Sequence, residues 1–385
     1  MSILDELRRN AESGAYPLHM PGHKRNPAFA DGLPFALDVT EIAGFDDLHD
    51  MRGIIAETAA LGAELYGATA AFPLVNGATG GLLAAVSAAA KSGGSLVFSK
   101  YSHRAVYNAA ELAGLTPVIF DPGFDAATGL IRAASAELVR GALSACADAC
   151  AVVLTSPTYE GAASDVAAVA DAAHSFGVPL IADAAHGAHF GFSDGFPQNA
   201  VRLGADAEVV SLHKTLPGMT QTALLLAGDP RYISEDSLRR KLSVFQTTSP
   251  SYILLASVDN CLRRLRDRAP ALFAEYSRTL ELLDARLRGL TRLRRAVPEG
   301  LYDPGKIVIS TLGADVSGTE LHARLRGRGF ECECSGAAHI LAMTSVCDDR
   351  DALLRFADEL LAIDAELAPA DKTAAPIISP GVPQK

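Results

Sequence analysis

One lysine stands where a strand should end. Ala207-Glu208-Val209-Val210 reads as a buried strand, and polar residues follow it abruptly in Ser211-Leu212-His213-Lys214-Thr215-Leu216-Pro217. In open α/β sheets, ligands gather at the carboxyl ends of strands. An amine placed there forms a Schiff base with pyridoxal phosphate (PLP) when its surroundings lower its pKa. Lys214 alone serves equally well as a surface lysine in a strand-to-loop turn, so its neighbours decide. Asp183 ends another apolar run, Val178-Pro179-Leu180-Ile181-Ala182, which the alternation puts one βα unit earlier. The two side chains can then face one crevice. A carboxylate under a pyridine nitrogen keeps that nitrogen protonated, and the ring then accepts electrons from a carbanion.

Three further features suit the same group. Leu74-Val75-Asn76-Gly77-Ala78-Thr79-Gly80-Gly81 precedes a small-residue helix expected over 82–91. Free N–H groups and the dipole at such a helix start favour a phosphate, and Thr79 adds a hydroxyl. Ser211 and His213 flank the lysine and can donate to the same phosphate. His103 opens a helix after a third strand, with Ser102 as the expected N-cap, and its imidazole can stack on a ring. A tight turn, a capping aspartate and an exposed first-turn histidine are the plain structural alternatives for these positions.

No metal is expected. His186 and His189 have no third ligand of matching spacing. The six cysteines include no C-x-x-C pair. Cys146 and Cys150 are expected on one helix face, and Cys332 and Cys334 in alternation on a strand. Reduced cysteines point to a cytoplasmic protein.

The elements that must position these groups alternate regularly. Apolar runs at 95–98, 117–120, 151–155, 178–182, 207–210 and 222–227 are separated by helical spacing at 104–107, 134–145 and 165–176. Continuously apolar strands in this alternation predict a mostly parallel sheet covered on both faces. Two helices, 252–266 and 271–290, lead out of it. Strands at 306–310 and 340–343 with helices at 319–327 and 351–363 suggest a small α+β domain. An amphipathic helix at 2–12 and a basic loop, Tyr16-Pro17-Leu18-His19-Met20-Pro21-Gly22-His23-Lys24-Arg25, open the chain. That loop reads as a solvated arm, or as a segment laid near an anionic cofactor or across a partner subunit.

The 385 residues are enough for a large domain and a smaller one, and 49% are hydrophobic. With 34 Lys and Arg against 45 Asp and Glu, the net charge is -11 and no basic block stands out, which argues against a nucleic-acid partner. No apolar segment is long enough to span a bilayer, so no membrane partner is expected.

Taken together, the chain resembles the bacterial Orn/Lys/Arg decarboxylase family. The resembling pieces are Met20 to Arg25, Asp38-Val39-Thr40-Glu41-Ile42, Gly44-Phe45-Asp46-Asp47-Leu48-His49, Asn76 to Thr79, Ser102-His103, Ser156-Pro157-Thr158-Tyr159-Glu160-Gly161, Asp183 to Gly187, Ser211 to Pro217 and Gln246-Thr247-Thr248-Ser249-Pro250-Ser251-Tyr252. The resemblance implies a PLP fold type I protein: a large α/β domain with a seven-stranded, mostly parallel sheet between helices, and a small α+β C-terminal domain. The expected divisions are an N-terminal helix and arm at 1–43, the PLP-binding domain at 44–268, the small domain at 269–367 and a Pro-rich, loosely held tail at 368–385.

Residue by residue, the resemblance makes Lys214 the Schiff-base lysine and pairs Asp183 with the pyridine nitrogen. His103 would stack on one ring face and Ala185 on the other. Ala78, Thr79, Ser211 and His213 would hold the phosphate, and His186 belongs to the cofactor-binding set, where some relatives have tryptophan. Thr248 and Ser249 would reach the phosphate of a neighbouring subunit, implying a homodimer or a higher even oligomer. Glu333 would meet the distal cation of an amino-acid substrate. Lys214, Asp183, His103 and His213 would do the chemistry, the decarboxylation of arginine, lysine or ornithine. Transamination, with Arg324, Arg326, Arg328 or Arg350 gripping the α-carboxylate, a carbon-carbon lyase step, and non-catalytic PLP binding are the alternatives. Longer relatives carry an N-terminal wing and a larger C-terminal domain, and Ile378 to Pro383 resembles a remnant of the latter.

Overall fold

The structure is a computed structural model that describes residues 2–370. In chain order the elements are α1 (Ile3–Glu12), α2 (Ile54–Tyr66), β1 (Ala70–Leu74), α3 (Gly77–Ala89), β2 (Ser95–Ser99), α4 (Arg104–Leu112), β3 (Thr116–Phe120), α5 (Ala136–Ser144), β4 (Ala149–Thr155), α6 (Val166–Ser175), β5 (Leu180–Asp183), β6 (Ala207–Val210), α7 (Leu212–Thr215), β7 (Ala223–Ala227), α8 (Glu235–Phe245) and α9 (Tyr252–Leu287). There follow β8 (Arg294–Ala296), β9 (Lys306–Ser310), α10 (Gly318–Gly327), β10 (Cys334–Ser335), β11 (His339–Met343) and α11 (Arg350–Glu366).

Seven strands form one sheet in the order β1-β7-β6-β5-β4-β2-β3. The block from β3 to β6 is parallel, and β7 runs antiparallel to both β6 and β1. Side chains alternate between faces, as a pleated strand requires. Leu96, Phe98, Ala151, Val153, Ile181 and Val209 pack with α3, α4 and α8 residues such as Leu82, Val106 and Leu238. Val97, Val152, Leu154, Leu180 and Ala182 pack on the other face with Val139 of α5 and Val169 of α6. Each such buried aliphatic chain contributes roughly 1.5–3 kcal/mol, which favours two covered faces over one. The second sheet is antiparallel, in the order β10-β11-β9-β8. Its core is continuous with α9 and with part of the large domain.

Several expectations change. The glycine-rich turn is itself the first turn of α3, which begins at Gly77 rather than 82. Gly77 has φ +77°, and a Cβ on Gly81 would come within 2.7 Å of Leu74 and 2.9 Å of Val209, so the helix start can lie this close to the sheet only with glycine there. The β5–β6 connection is not a full βα unit; it carries a single 3-10 turn, Val201–Leu203. The two helices leading out of the large domain are one 36-residue helix, α9, running through Pro270 and across the expected 268/269 boundary. Pro270 is exposed, so water can take the backbone bond it forfeits, while buried Leu265, Ala269, Phe273 and Tyr276 hold both halves in line. Cys146 follows α5 and Cys150 lies in β4, so the two share no helix face; Cys334 is in β10 and Cys332 precedes it. Ala368 to Ala370 are not loose: the Ala368 carbonyl accepts from the Asp315 N–H at 3.0 Å, and the Ala370 N–H donates to Gly313 at 3.1 Å. The rest of the expected tail, with Ile378 to Pro383, lies outside the described residues. Among the described residues no helix is long and apolar enough to cross a membrane.

Candidate active site

A cavity of about 330 Å³ opens at the carboxyl ends of the parallel strands. Ala78 and Thr79 line it from the start of α3, and His103 from the end of β2. Asp183, Ala185 and His186 enter from the end of β5, and Ser211, His213 and Lys214 from the end of β6. The sheet register explains the meeting: Asp183 pairs with Val209 on the neighbouring strand, so both chains leave the sheet at nearly the same height.

Asp183 is 3% exposed. Burial pushes its carboxyl up, and the Lys214 amine, with the His103 ring close by, pulls it back. Its Oδ1 accepts from the Ala185 N–H at 3.3 Å. The Lys214 amine lies 3.2 Å from His186 Nε2. Ser211 Oγ is buried and has no hydrogen-bond partner within the structure, although Ser211 lines the cavity. A buried hydroxyl in that state suits an oxygen-rich group. His213 Nδ1 donates to the Thr222 carbonyl at 3.0 Å, so Nε2 can donate to a phosphate only from the imidazolium.

His103, not Ser102, is the N-cap of α4. Its Nδ1 accepts from the Ala105 N–H at 3.1 Å, which fixes the ring plane. The Ser102 hydroxyl is engaged by Thr155 at 3.3 Å. His189 does not join His186. It faces Asp303 of the small domain, 3.1 Å from Nε2, and the two are buried. Among the described residues no three His, Cys, Asp or Glu side chains converge to hold a metal.

Thr248 and Ser249 are exposed and do not line the cavity. Their loop is nevertheless fixed beside the α3 start. Gln246 accepts from the Val75 N–H at 3.1 Å, and Asn76 Nδ2 donates to the Phe245 carbonyl at 2.6 Å. Glu333 stands behind the lining residue Tyr159, whose phenol donates to its carboxylate. Burial, then the bond to Glu333, pushes that phenol well up. Arg324, Arg326, Arg328 and Arg350 pair instead with carboxylates of the small domain and α9.

Sequence reasoning missed Tyr101, Thr155, Thr220 and Gln221, which also line the cavity, and it missed Lys306. Lys306 is 2% exposed, and its Nζ lies 2.8 Å from His186 Nδ1. The one signal for it was a lysine opening the apolar run Ile307-Val308-Ile309.

Comparison with known proteins fits this geometry. The family model described as the Orn/Lys/Arg decarboxylase major domain matches residues 3–275. The Bacillus subtilis arginine decarboxylase is 30% identical over 382 residues, covering 95% of this chain and 78% of that protein. The uncharacterised protein YaaO of Bacillus subtilis is 37% identical over 264 residues, covering 67% of this chain and 54% of that protein. Among solved structures, the constitutive lysine decarboxylase of E. coli superposes with a TM-score of 0.79 at 20% identity, over 93% of this chain and 60% of that one. The chain therefore spans little more than half the length of some relatives and about four-fifths of others. Both the match over residues 3–275 and the arginine decarboxylase alignment include the strand ends that carry Asp183 and Lys214, and the chain belongs to the Orn/Lys/Arg decarboxylase family.

Proposed function

We propose that the protein is a PLP-dependent decarboxylase that converts arginine, lysine or ornithine to the corresponding amine. The observation that carries this reading is the pairing of Lys214 with buried Asp183 in one cavity, beside a helix start and an unpartnered buried hydroxyl. These residues fit the coenzyme. Ser211, Thr79 and the first amides of α3 would take its phosphate, Lys214 its aldehyde carbon, and Asp183 its ring nitrogen. When bound, PLP supplies an electron sink for the pair released as the bond from Cα to the carboxylate breaks.

The chain's own groups do the rest. Asp183 would hold a proton on the ring nitrogen, because a carboxylate at 3% exposure favours a cationic partner against it. His103 and Ala185, which both line the cavity, would orient the ring, with the imidazole plane fixed by its own cap bond. Lys214 Nζ carries the proton that replaces carbon dioxide at Cα. Glu333, which holds the lining residue Tyr159 and does not itself line the cavity, would meet the distal cation of the substrate from behind it.

The same reading makes the protein a homodimer. Tyr16, Leu18, Met20, Phe29 and Leu33 are between 59 and 88% exposed along one N-terminal arm, and Thr248 and Ser249 project from a fixed loop. Both features suit a second copy. All six cysteines are free, which suits a cytoplasmic setting. The surface pairing of the four arginines disfavours transamination, because none of them reaches the cavity.

The deciding experiment incubates PLP-loaded protein with arginine, lysine and ornithine, and measures carbon dioxide and amine against keto-acid. Carbon dioxide with equimolar amine is expected from one of the three. Keto-acid without carbon dioxide would hand the site to transamination.

A further inference from the structure

His186 is approached by two lysines. Lys214 Nζ lies 3.2 Å from its Nε2, and Lys306 Nζ lies 2.8 Å from its Nδ1. Lys306 comes from β9 of the small domain, 120 residues away from His186 in the chain. An ammonium offers N–H donors and no lone pair, whereas a neutral imidazole has one N–H and one lone pair. These valences restrict the row. If Lys306 is the ammonium, it donates to Nδ1, and Nε2 carries the ring proton toward a neutral Lys214. If Lys214 is the ammonium, the ring proton sits on Nδ1 and Lys306 must be neutral to accept it. Two ammoniums on a neutral ring would set one N–H against another. The row thus holds one excess proton, shared by its ends.

We infer that Lys306 and His186 form a proton relay that charges Lys214. In the transfer, Lys306 gives a proton to Nδ1 and the ring gives its Nε2 proton to the Lys214 amine. One N–H bond breaks at Lys306 Nζ and one at Nε2; one forms at Nδ1 and one at Lys214 Nζ. Lys306 ends as a neutral amine, His186 as the other neutral tautomer, and no electrons change hands. After Lys214 has handed its proton on, cavity water supplies a proton at Nε2 and the Nδ1 proton returns to Lys306. His186 lines the cavity, so water can reach it, while Lys306 is shielded behind it. The surroundings make the Lys306 proton transferable. Burial is the largest influence and pushes the amine down to about 8, with Lys214 acting in the same direction against Asp303, Glu333 and Glu160. The Tyr159 ring lies 5.8 Å from the Lys306 amine, and Asp183 interacts electrostatically with Lys214 and with His103.

The inference rests on Lys214 being the proton carrier, but the coupling of the two lysines is measurable without coenzyme. Coenzyme-free protein is acylated competitively across a pH series, and the Lys214 and Lys306 peptides are quantified by mass spectrometry. In Lys306→Met the labelling midpoint of Lys214 rises by about one pH unit, because its rival for the shared proton is gone. In His186→Phe the lysines are uncoupled, and adding Lys306→Met moves the midpoint no further. A Lys306 that acts on Lys214 only by through-space repulsion would still raise the Lys214 midpoint when Lys306→Met is added to His186→Phe, and that result overturns the relay. Should Lys306→Met fail to fold, Lys306→Gln keeps a donor to Nδ1 and gives the same readout. If borohydride fails to fix PLP to Lys214 while the midpoints still move together, the coenzyme assignment falls and the coupling stands.

Discussion

The two lysines at His186 belong to two kinds of wall. Lys214 leaves the parallel sheet where a strand ends, and its side chain lines the cavity. Lys306 opens a strand of the antiparallel sheet and is shielded behind the lining residues. The charge of Lys214 is met by Asp183 from the neighbouring strand, and that of Lys306 by Asp303, Glu333 and Glu160 from three separate segments. The same contrast holds for two carboxylates on adjacent strands. Asp183 has Lys214 and His103 beside it. Glu208, on the opposite face of the sheet, is fully buried and forms no ion pair among the described residues; Oε2 accepts from the Val201 N–H at 2.9 Å, and Oε1 has no hydrogen-bond partner among them. A parallel sheet thus delivers groups to the cavity by a rule of position, whereas the small domain delivers them only through its packing against the large domain.

The largest expected effect breaks the first wall. Lys214→Ala should lower kcat by roughly 10²–10⁴-fold through loss of the proton carrier alone. In the wild-type protein borohydride reduction should fix PLP to the 211–217 peptide; labelling at Lys24 or Lys100 instead would contradict the assignment.

Asp183→Asn should cost kcat roughly 10²–10³-fold, because one preorganised charge in a water-poor site is worth about 3–4 kcal/mol. Steady-state rates on the best of the three basic amino acids check this; a loss confined to KM would mean that Asp183 only binds.

Glu208→Gln sharpens the contrast between the carboxylates, because it should gain stability instead of losing rate. Burial pushes Glu208 from 4.5 up to about 7. A folded-state pKa above the unfolded one means that the native protein binds more protons between those values, so stability falls as pH rises through that window. The variant escapes that fall. Its advantage over wild type in urea unfolding should be larger at pH 8 than at pH 4.5 by on the order of 3 kcal/mol, at about 1.4 kcal/mol per pH unit. Equal increments at both pH values would show that Glu208 does not titrate in this range.

The smallest effect tests the second wall. Glu333→Gln should raise KM for a dibasic substrate roughly 10-fold with kcat little changed, since a contact to a distal cation is made in ground and transition states alike. An unchanged KM for arginine, lysine and ornithine alike would remove Glu333 from the substrate site.

Much of the first wall was legible because its signals are local. An apolar run followed by a polar break marks a strand end, and Lys214, Asp183 and His103 each sit at one. The covered, mostly parallel sheet followed from the same runs. Where an expectation rested on one local signal alone, packing could overturn it. Ser102 was the expected cap of α4, and the role went to the His103 imidazole, while the Ser102 hydroxyl is engaged by Thr155 of the adjacent strand. The spacings at 252–266 and 271–290 read as two helices, and burial on both sides of Pro270 kept α9 continuous.

The order of elements, the strand ends and the types of residue placed there were determined by the sequence itself, because periodicity and side-chain chemistry act over a few residues. Only the tertiary structure decided that Lys306 meets His186, that Tyr159 holds Glu333, and that His189 turns away to Asp303. Those pairs lie between 114 and 174 residues apart, and no local pattern encodes which buried charge will answer which. The reason is desolvation: a buried ion must find a partner wherever packing places one, so its position follows from the whole core and not from its neighbours in the chain.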